Sequence, residues 1–165
     1  MKKLLIVIDY QKDFVDGSLG FKEAQDIDDY ITSLINQYHK NKDDVIFTFD
    51  THQENYLESQ EGRNLPIPHC IKGNDAKQKE DVCIEKPTFG SLELGNYLKE
   101  KSYQEITLVG VVSNICVLSN AIIAKSALPE TSICIDLKGI ASNDVSLEKK
   151  AIDLLKSLHF HIVNE

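Results

Sequence analysis

Asp9, Lys86 and Cys116 each stand just beyond a short apolar run: Leu4 to Ile8, Val82 to Ile84, and Ile106 to Val109, the last followed by Gly110-Val111-Val112-Ser113-Asn114-Ile115-Cys116-Val117. A carboxylate, an ammonium and a thiol are the parts of a sulfur nucleophile. The carboxylate takes the thiol proton, the ammonium stabilises both anions, and the thiolate attacks a carbonyl. Cys116 reads as the opening of a helix from Cys116 to Lys125, where the positive end of the helix dipole lowers a thiol's pKa. Each residue also has an ordinary reading. A free cysteine packs as a small hydrophobe, an aspartate caps a turn, and a lysine after a strand is solvated.

A second group follows the run that ends in Phe49-Asp50-Thr51-His52. Asp-x-His pairs a carboxylate with an imidazole, and the polar stretch from Thr51 to Glu80 adds Glu61 and then Pro68-His69-Cys70. Two imidazoles and a carboxylate or two suit a Zn, Fe or Mn ion with open coordination positions. Glu54, Tyr56 and Glu58 compete with Glu61 for the remaining ligand position, and all of these side chains also read as simple loop polarity. A loop this long inside a compact domain is usually functional.

The elements that must position these groups are short. Apolar, β-branched runs occur at about Lys3 to Ile8, Asp44 to Phe49, Asp81 to Glu85, Glu105 to Val109, Ser132 to Asp136 and Phe160 to Val163. Their continuous rather than alternating hydrophobicity means burial on both faces, as in a parallel sheet covered by helices. Helical spacing separates them: Ile27, Tyr30, Ile31, Leu34, Ile35 and Tyr38; Leu92, Leu94, Tyr97 and Leu98; the Cys116 segment; and Leu147, Ala151, Leu154, Leu155 and Leu158. The acidic residues Asp26, Asp28 and Asp29 suit a first helical turn. The pattern predicts one α/β domain over 1–165, a doubly wound three-layer sandwich with a six-stranded, mostly parallel sheet and helices on both faces. In such a sheet ligands bind at the carboxyl ends of the strands, which is where the acid, the lysine, the cysteine and Asp50 fall.

Composition narrows the class. With 165 residues, 42% hydrophobic and 27% charged, the chain reads as an ordinary globular protein, and its net charge of -8 disfavours nucleic acid or an anionic membrane as partner. No apolar run reaches the roughly 18 residues of a membrane span, and Asp9 cuts short the apolar start, so a cytoplasmic protein is expected. Cys70, Cys83, Cys116 and Cys134 form no CxxC pair and are expected to be reduced.

The chain resembles the isochorismatase-like cysteine hydrolase superfamily and, within it, the nicotinamidases. The residues that carry the resemblance are Asp9-Tyr10-Gln11-Lys12-Asp13-Phe14, Phe49-Asp50-Thr51-His52, Pro68-His69-Cys70-Ile71-Lys72-Gly73, Glu85-Lys86-Pro87 and Gly110 to Val117. The resemblance implies an Asp9-Lys86-Cys116 triad, an oxyanion hole from the backbone N–H groups of Val112 and Cys116, and a cis peptide between Val111 and Val112. It implies metal ligands at Asp50, His52 and His69 with Glu61 as the fourth, since Tyr56 stands where a histidine version would place its ligand. The implied cofactor is a divalent metal, zinc first, with iron or manganese as alternatives.

The implied substrate is a small amide, nicotinamide above all, and the implied assembly is a homo-oligomer. The family's aromatic wall before the proline-histidine pair is replaced by Leu65 and Pro66, leaving Phe14, Leu65 and Phe89 to line the substrate site. Two rival readings follow: a hydrolase of another small amide, ureido compound or vinyl ether without metal, and a catalytically silent binding or assembly protein.

Overall fold

Each apolar run becomes a strand because both of its faces find apolar cover. The structure, a computed structural model, describes residues 1–71 and 81–165; Lys72, Gly73 and the end of the polar stretch at Glu80 lie outside the described residues. The strands are β1 (Lys3–Ile8), β2 (Asp44–Asp50), β3 (Val82–Lys86), β4 (Glu105–Val111), β5 (Ser132–Ala141) and β6 (His161–Val163). They form one sheet in the order β3-β2-β1-β4-β5-β6, and every pairing among the described residues is parallel.

The helices are α1 (Lys12–Val15), α2 (Lys22–Asp26), α3 (Asp28–Asn41), α4 (Gln60–Asn64), α5 (Leu92–Lys99), α6 (Leu118–Ala127) and α7 (Val145–Ser157). Successive residues of β1 serve opposite layers. Leu4, Ile6 and Ile8 share a core with Leu94 and Leu98 of α5 and Ala121 and Ala124 of α6, while Leu5 and Val7 pack with Ile31 and Tyr38 of α3. Three helix starts follow from their caps: Ser59 accepts from the Gly62 amide, Ser91 from Leu94 and Asp144 from Leu147. Asp28 and Asp29 fall in the first turn of α3, as the sequence suggests, and Asp26 ends α2. No helix among the described residues is long and apolar enough to cross a membrane.

Three local features differ from the sequence reading. First, β5 continues past Asp136 to Ala141, because the Asp136 carboxylate is satisfied in place. It accepts from the Tyr30 hydroxyl at 2.7 Å, from Asn164 Nδ2 at 2.8 Å and from the Lys138 amide at 3.1 Å. The ladder to β4 shifts register there and resumes at Gly110 opposite Ile140. Second, Cys116 does not open an α-helix. It lies in a π-helical turn, Ser113–Val117, closed by the Val117 amide on the Val112 carbonyl at 3.2 Å, and α6 begins only at Leu118. Third, the polar stretch after β2 holds a 3-10 turn at Tyr56–Glu58 and the short α4.

Strand order reverses between β1 and β4, so the chain leaves these two neighbouring strands in opposite directions. The resulting crevice lies at their carboxyl ends. Gly110, near the end of β4, has φ 116, and a Cβ there would fall 2.0 Å from the Ile8 carbonyl oxygen. Only glycine lets the two strands stay this close.

Candidate active site

Asp9 leaves β1 with a positive φ of 46° and no solvent exposure. Its carboxylate accepts from the Thr48 hydroxyl at 2.7 Å through Oδ1, and its Oδ2 lies 2.6 Å from Lys86 Nζ. Lys86 ends β3 only 2% exposed. Its ammonium donates to the Thr88 carbonyl at 2.8 Å and reaches Cys116 Sγ at 3.8 Å and Asp50 Oδ1 at 3.6 Å. The three sequence candidates therefore converge, one from each of three strand ends.

Their electrostatics follow from burial. Loss of water pushes the Asp9 carboxyl up against the opposing charge of Lys86. Burial would lower Lys86, but the charges of Asp9, Cys116 and Asp50 outweigh it and hold the ammonium above its ordinary range. Burial also pushes the Cys116 thiol well up, helped by the charge of Asp9 and by its hydrogen bond to that carboxylate, with Lys86 acting the other way. Asp9 and Lys86 thus face each other at 2.6 Å beside a thiol whose ionisation burial opposes. Burial raises both the Asp9 carboxyl and the Cys116 thiol.

Asp50, at the end of β2, joins this group to a second one. Its Oδ2 lies 3.0 Å from His52 Nε2 and 3.4 Å from His69 Nε2, and Glu61 Oε1 lies 3.6 Å and 3.9 Å from the same two nitrogens. The four ligand atoms all fall within 4.8 Å of one another. Metal–ligand bonds of about 2.0–2.2 Å in a tetrahedron put neighbouring ligands roughly 3.3–3.6 Å apart, so these side chains close round a divalent ion with side-chain shifts of about 1 Å or less.

The supporting contacts agree. His69 Nδ1 faces the Ile67 carbonyl at 2.8 Å, an acceptor that places a proton on Nδ1 and turns Nε2 toward the group. The other Asp50 oxygen, Oδ1, is buried without a hydrogen bond and faces Lys86 Nζ at 3.6 Å. Burial opposes the Asp50 charge, but hydrogen bonds from His52 and His69 and the charge of Lys86 hold its carboxyl far below the usual range. Burial and the neighbouring Asp50 push Glu61 up. Glu54 and Glu58 lie outside this cluster. Tyr56 supplies a wall instead of a ligand, its ring centroid 4.6 Å from His52 and 5.0 Å from His69.

Two residues hold the ligand backbones. The Gln11 side chain mimics a strand, donating to the Asp50 carbonyl at 3.0 Å and accepting from its amide at 2.7 Å. Asp13 Oδ2 accepts from the Cys70 amide at 2.6 Å, fixing the turn that carries His69.

Both groups open on one cavity of about 230 Å³. Phe14, Leu65 and Phe89, expected from the sequence, line it together with Cys116, Asp50, Glu61 and His69; Val112 also lies on it, and the Val111–Val112 peptide is cis. Leu19, Phe21, Ile115 and Asn143 complete the wall. Sequence reasoning missed these four, and also Thr48. Gln11 and Asp13 lay in view inside the Asp9–Phe14 motif, with no role assigned.

The isochorismatase domain model matches residues 3–156. An isochorismatase family protein of Bacillus subtilis (strain 168), PncA, is 35% identical, over 74% of this chain and 78% of the relative. The chain belongs to the isochorismatase family and is a hydrolase of that class. Its fold is similar to the crystal structure of nicotinamidase/pyrazinamidase PncA from Bacillus subtilis, with a TM-score of 0.87 and 29% identity over 99% of this chain and all of that one. The pyrazinamidase of Pyrococcus horikoshii, solved in complex with zinc, shares the fold at a TM-score of 0.86 and 22% identity, over 100% of both chains.

Proposed function

We propose that this chain is a metal-assisted cysteine amidohydrolase that converts nicotinamide to nicotinate and ammonia. The observation that carries the reading is Lys86 Nζ, 2.6 Å from Asp9 and 3.8 Å from Cys116 Sγ, beside a cavity that Cys116 lines together with Asp50, Glu61 and His69. The similarity to nicotinamidase/pyrazinamidase PncA supports the substrate class. A divalent metal held by Asp50, His52, Glu61 and His69 would supply a Lewis-acidic position for the ring nitrogen of a pyridine carboxamide.

Asp9 takes the thiol proton as Cys116 Sγ bonds to the carboxamide carbon, and the carbonyl electrons move onto oxygen. The N–H groups of Val112 and Cys116 hold that oxyanion. Its collapse breaks the carbon–nitrogen bond, and Asp9 returns the proton to the departing ammonia, leaving a thioester on Cys116. Water then adds to the thioester with Asp9 as base, and the carboxylic acid leaves as the sulfur regains its proton. Lys86 stays charged throughout and keeps the carboxylate and the sulfur in register. Phe14, Leu65 and Phe89 confine a flat ring.

Ammonia release from nicotinamide, pyrazinamide and a set of non-aromatic amides tests the reading, before and after chelation. Turnover of the pyridine carboxamide is expected, falling at least ~10³-fold in Cys116→Ala and falling also in Asp50→Ala and with chelator. Turnover of another amide alone, or an Asp50→Ala variant as active as the parent, overturns it.

A further inference from the structure

Asn120, in the first turn of α6, is wholly buried and takes no part in the reaction outlined above. Its amide is engaged at both ends. Nδ2 donates to the Cys116 carbonyl at 2.8 Å and to the Phe89 carbonyl at 2.9 Å, and Oδ1 accepts from the Ser91 amide at 2.9 Å. The partners fix the orientation, since two carbonyls require the NH₂ group and a backbone N–H requires the oxygen.

One of these bonds is local, reaching back a single turn to the residue that bears the thiol. The other two cross to the segment 86–91 that follows β3. That segment begins with Lys86, whose ammonium takes its orientation from the Thr88 carbonyl, one residue before Phe89. It also runs close along α6: a Cβ on Gly90 would meet Ile123 Cδ1 at 2.8 Å. Neither a hydroxyl nor a carboxylate can serve all three partners. A hydroxyl has one hydrogen, and a carboxylate would face two carbonyl oxygens with none.

We infer that Asn120 is a positioning residue that ties the lysine-bearing segment 86–91 to the cysteine-bearing turn and so sets the 3.8 Å separation of Lys86 Nζ and Cys116 Sγ. The inference rests on the proposed hydrolase reading for its kinetic consequence, while the geometry stands apart from it. A displacement of about 1 Å between reacting groups can cost 10²-fold in rate. Loss of the cross-link therefore reaches the chemistry even though Asn120 touches no substrate.

The test uses the whole protein with two substitutions. Asn120→Ala removes all three bonds. Asn120→Thr keeps a hydroxyl able to donate to the carbonyl four residues back, here Cys116, but loses both bonds to segment 86–91. Cys116 alkylation by iodoacetamide at one pH, read by peptide mass spectrometry, is measured beside kcat, KM and the melting temperature. Tyr38→Phe, which removes a buried hydroxyl pair with Thr107 in the opposite layer, serves as the stability control.

Asn120→Thr should lower kcat and the alkylation rate about tenfold, with KM changed less than about threefold, and Asn120→Ala should lower both further. Tyr38→Phe should lower the melting temperature and leave both rates at the parent value. Parent-like alkylation and kcat in Asn120→Thr overturn the inference, as does an equal loss of rate in Tyr38→Phe. If the parent hydrolyses no amide, the activity reading fails, and the alkylation rates alone decide on Asn120.

Discussion

Replacing Lys86 by methionine keeps most of the volume of a buried side chain and removes its charge. At 2.6 Å the Asp9–Lys86 attraction is about 6 kcal/mol at an effective dielectric of 20, and much of it offsets the cost of taking both ions out of water. Breaking such a pair leaves the partner unpaired and typically costs about 3–5 kcal/mol. For a protein of this size that corresponds to a fall of roughly 6–20 °C in melting temperature near neutral pH.

The loss should depend on pH in a definite direction. Burial already raises the Asp9 carboxyl, and removal of the ammonium raises it further. A carboxyl whose folded pKa lies above its unfolded value of about 3.9 contributes stability that is complete below that value and is lost as pH rises through the folded pKa. Lys86→Met should therefore melt closest to the parent in acid and fall progressively behind as pH rises.

The thiolate loses an ammonium at 3.8 Å, about 4 kcal/mol at the same dielectric, or roughly 10³-fold in the tendency to ionise. Calorimetry from pH 5 to 8, with Cys116 alkylation and amide turnover alongside, measures each part. A variant that melts within 2 °C of the parent at pH 8, or that alkylates at the parent rate, would refute the reasoning.

Thr48→Val should cost about 1–3 kcal/mol, because the hydroxyl both donates to Asp9 Oδ1 at 2.7 Å and accepts from the Asp9 amide at 3.2 Å. Chemical denaturation checks this, and an unchanged midpoint would show that Asp9 holds its positive φ without that support. Gly110→Ala should fail to give folded protein, since its Cβ would meet the Ile8 carbonyl at 2.0 Å. A folded variant by circular dichroism would mean that the β1–β4 contact can open.

The strands were legible because burial on both faces leaves an uninterrupted apolar run. Asp9, Lys86, Asp50 and Cys116 were legible because each stands at the end of such a run, where a parallel sheet collects its ligands. Features that depend on register between strands were hidden. Thr48 is one more β-branched residue inside β2 until the β1–β2 ladder sets it beside Asp9. Asn120 reads as a polar residue on a helix until segment 86–91 folds over it. The continuation of β5 was masked by Asp136-Leu137-Lys138-Gly139, a polar break whose carboxylate is satisfied by Tyr30 and Asn164 from distant parts of the chain. Leu19 and Phe21 flank Gly20 in a stretch without periodicity, so nothing local marked them as cavity walls. The π-helical turn at Cys116 reads in the sequence like an α-helix start, and the hydrogen bonds from Val117 to Val112 and from Leu118 to Ser113 separate the two.

The pairing of β1 with β4 joins Lys3 to Glu105, so the two strands that border the crevice meet only after a separation of about a hundred residues closes. Contacts this remote in sequence form late and slowly during folding. Until they form, Cys116 is an ordinary thiol in an open chain, with neither the ammonium of Lys86 nor the carboxylate of Asp9 beside it. Nascent and partly unfolded copies thus lack the assembled group, and in them Cys116, buried in the folded chain, is open to solvent. The reactivity of that single thiol can serve as a clock for completion of the sheet's central ladder.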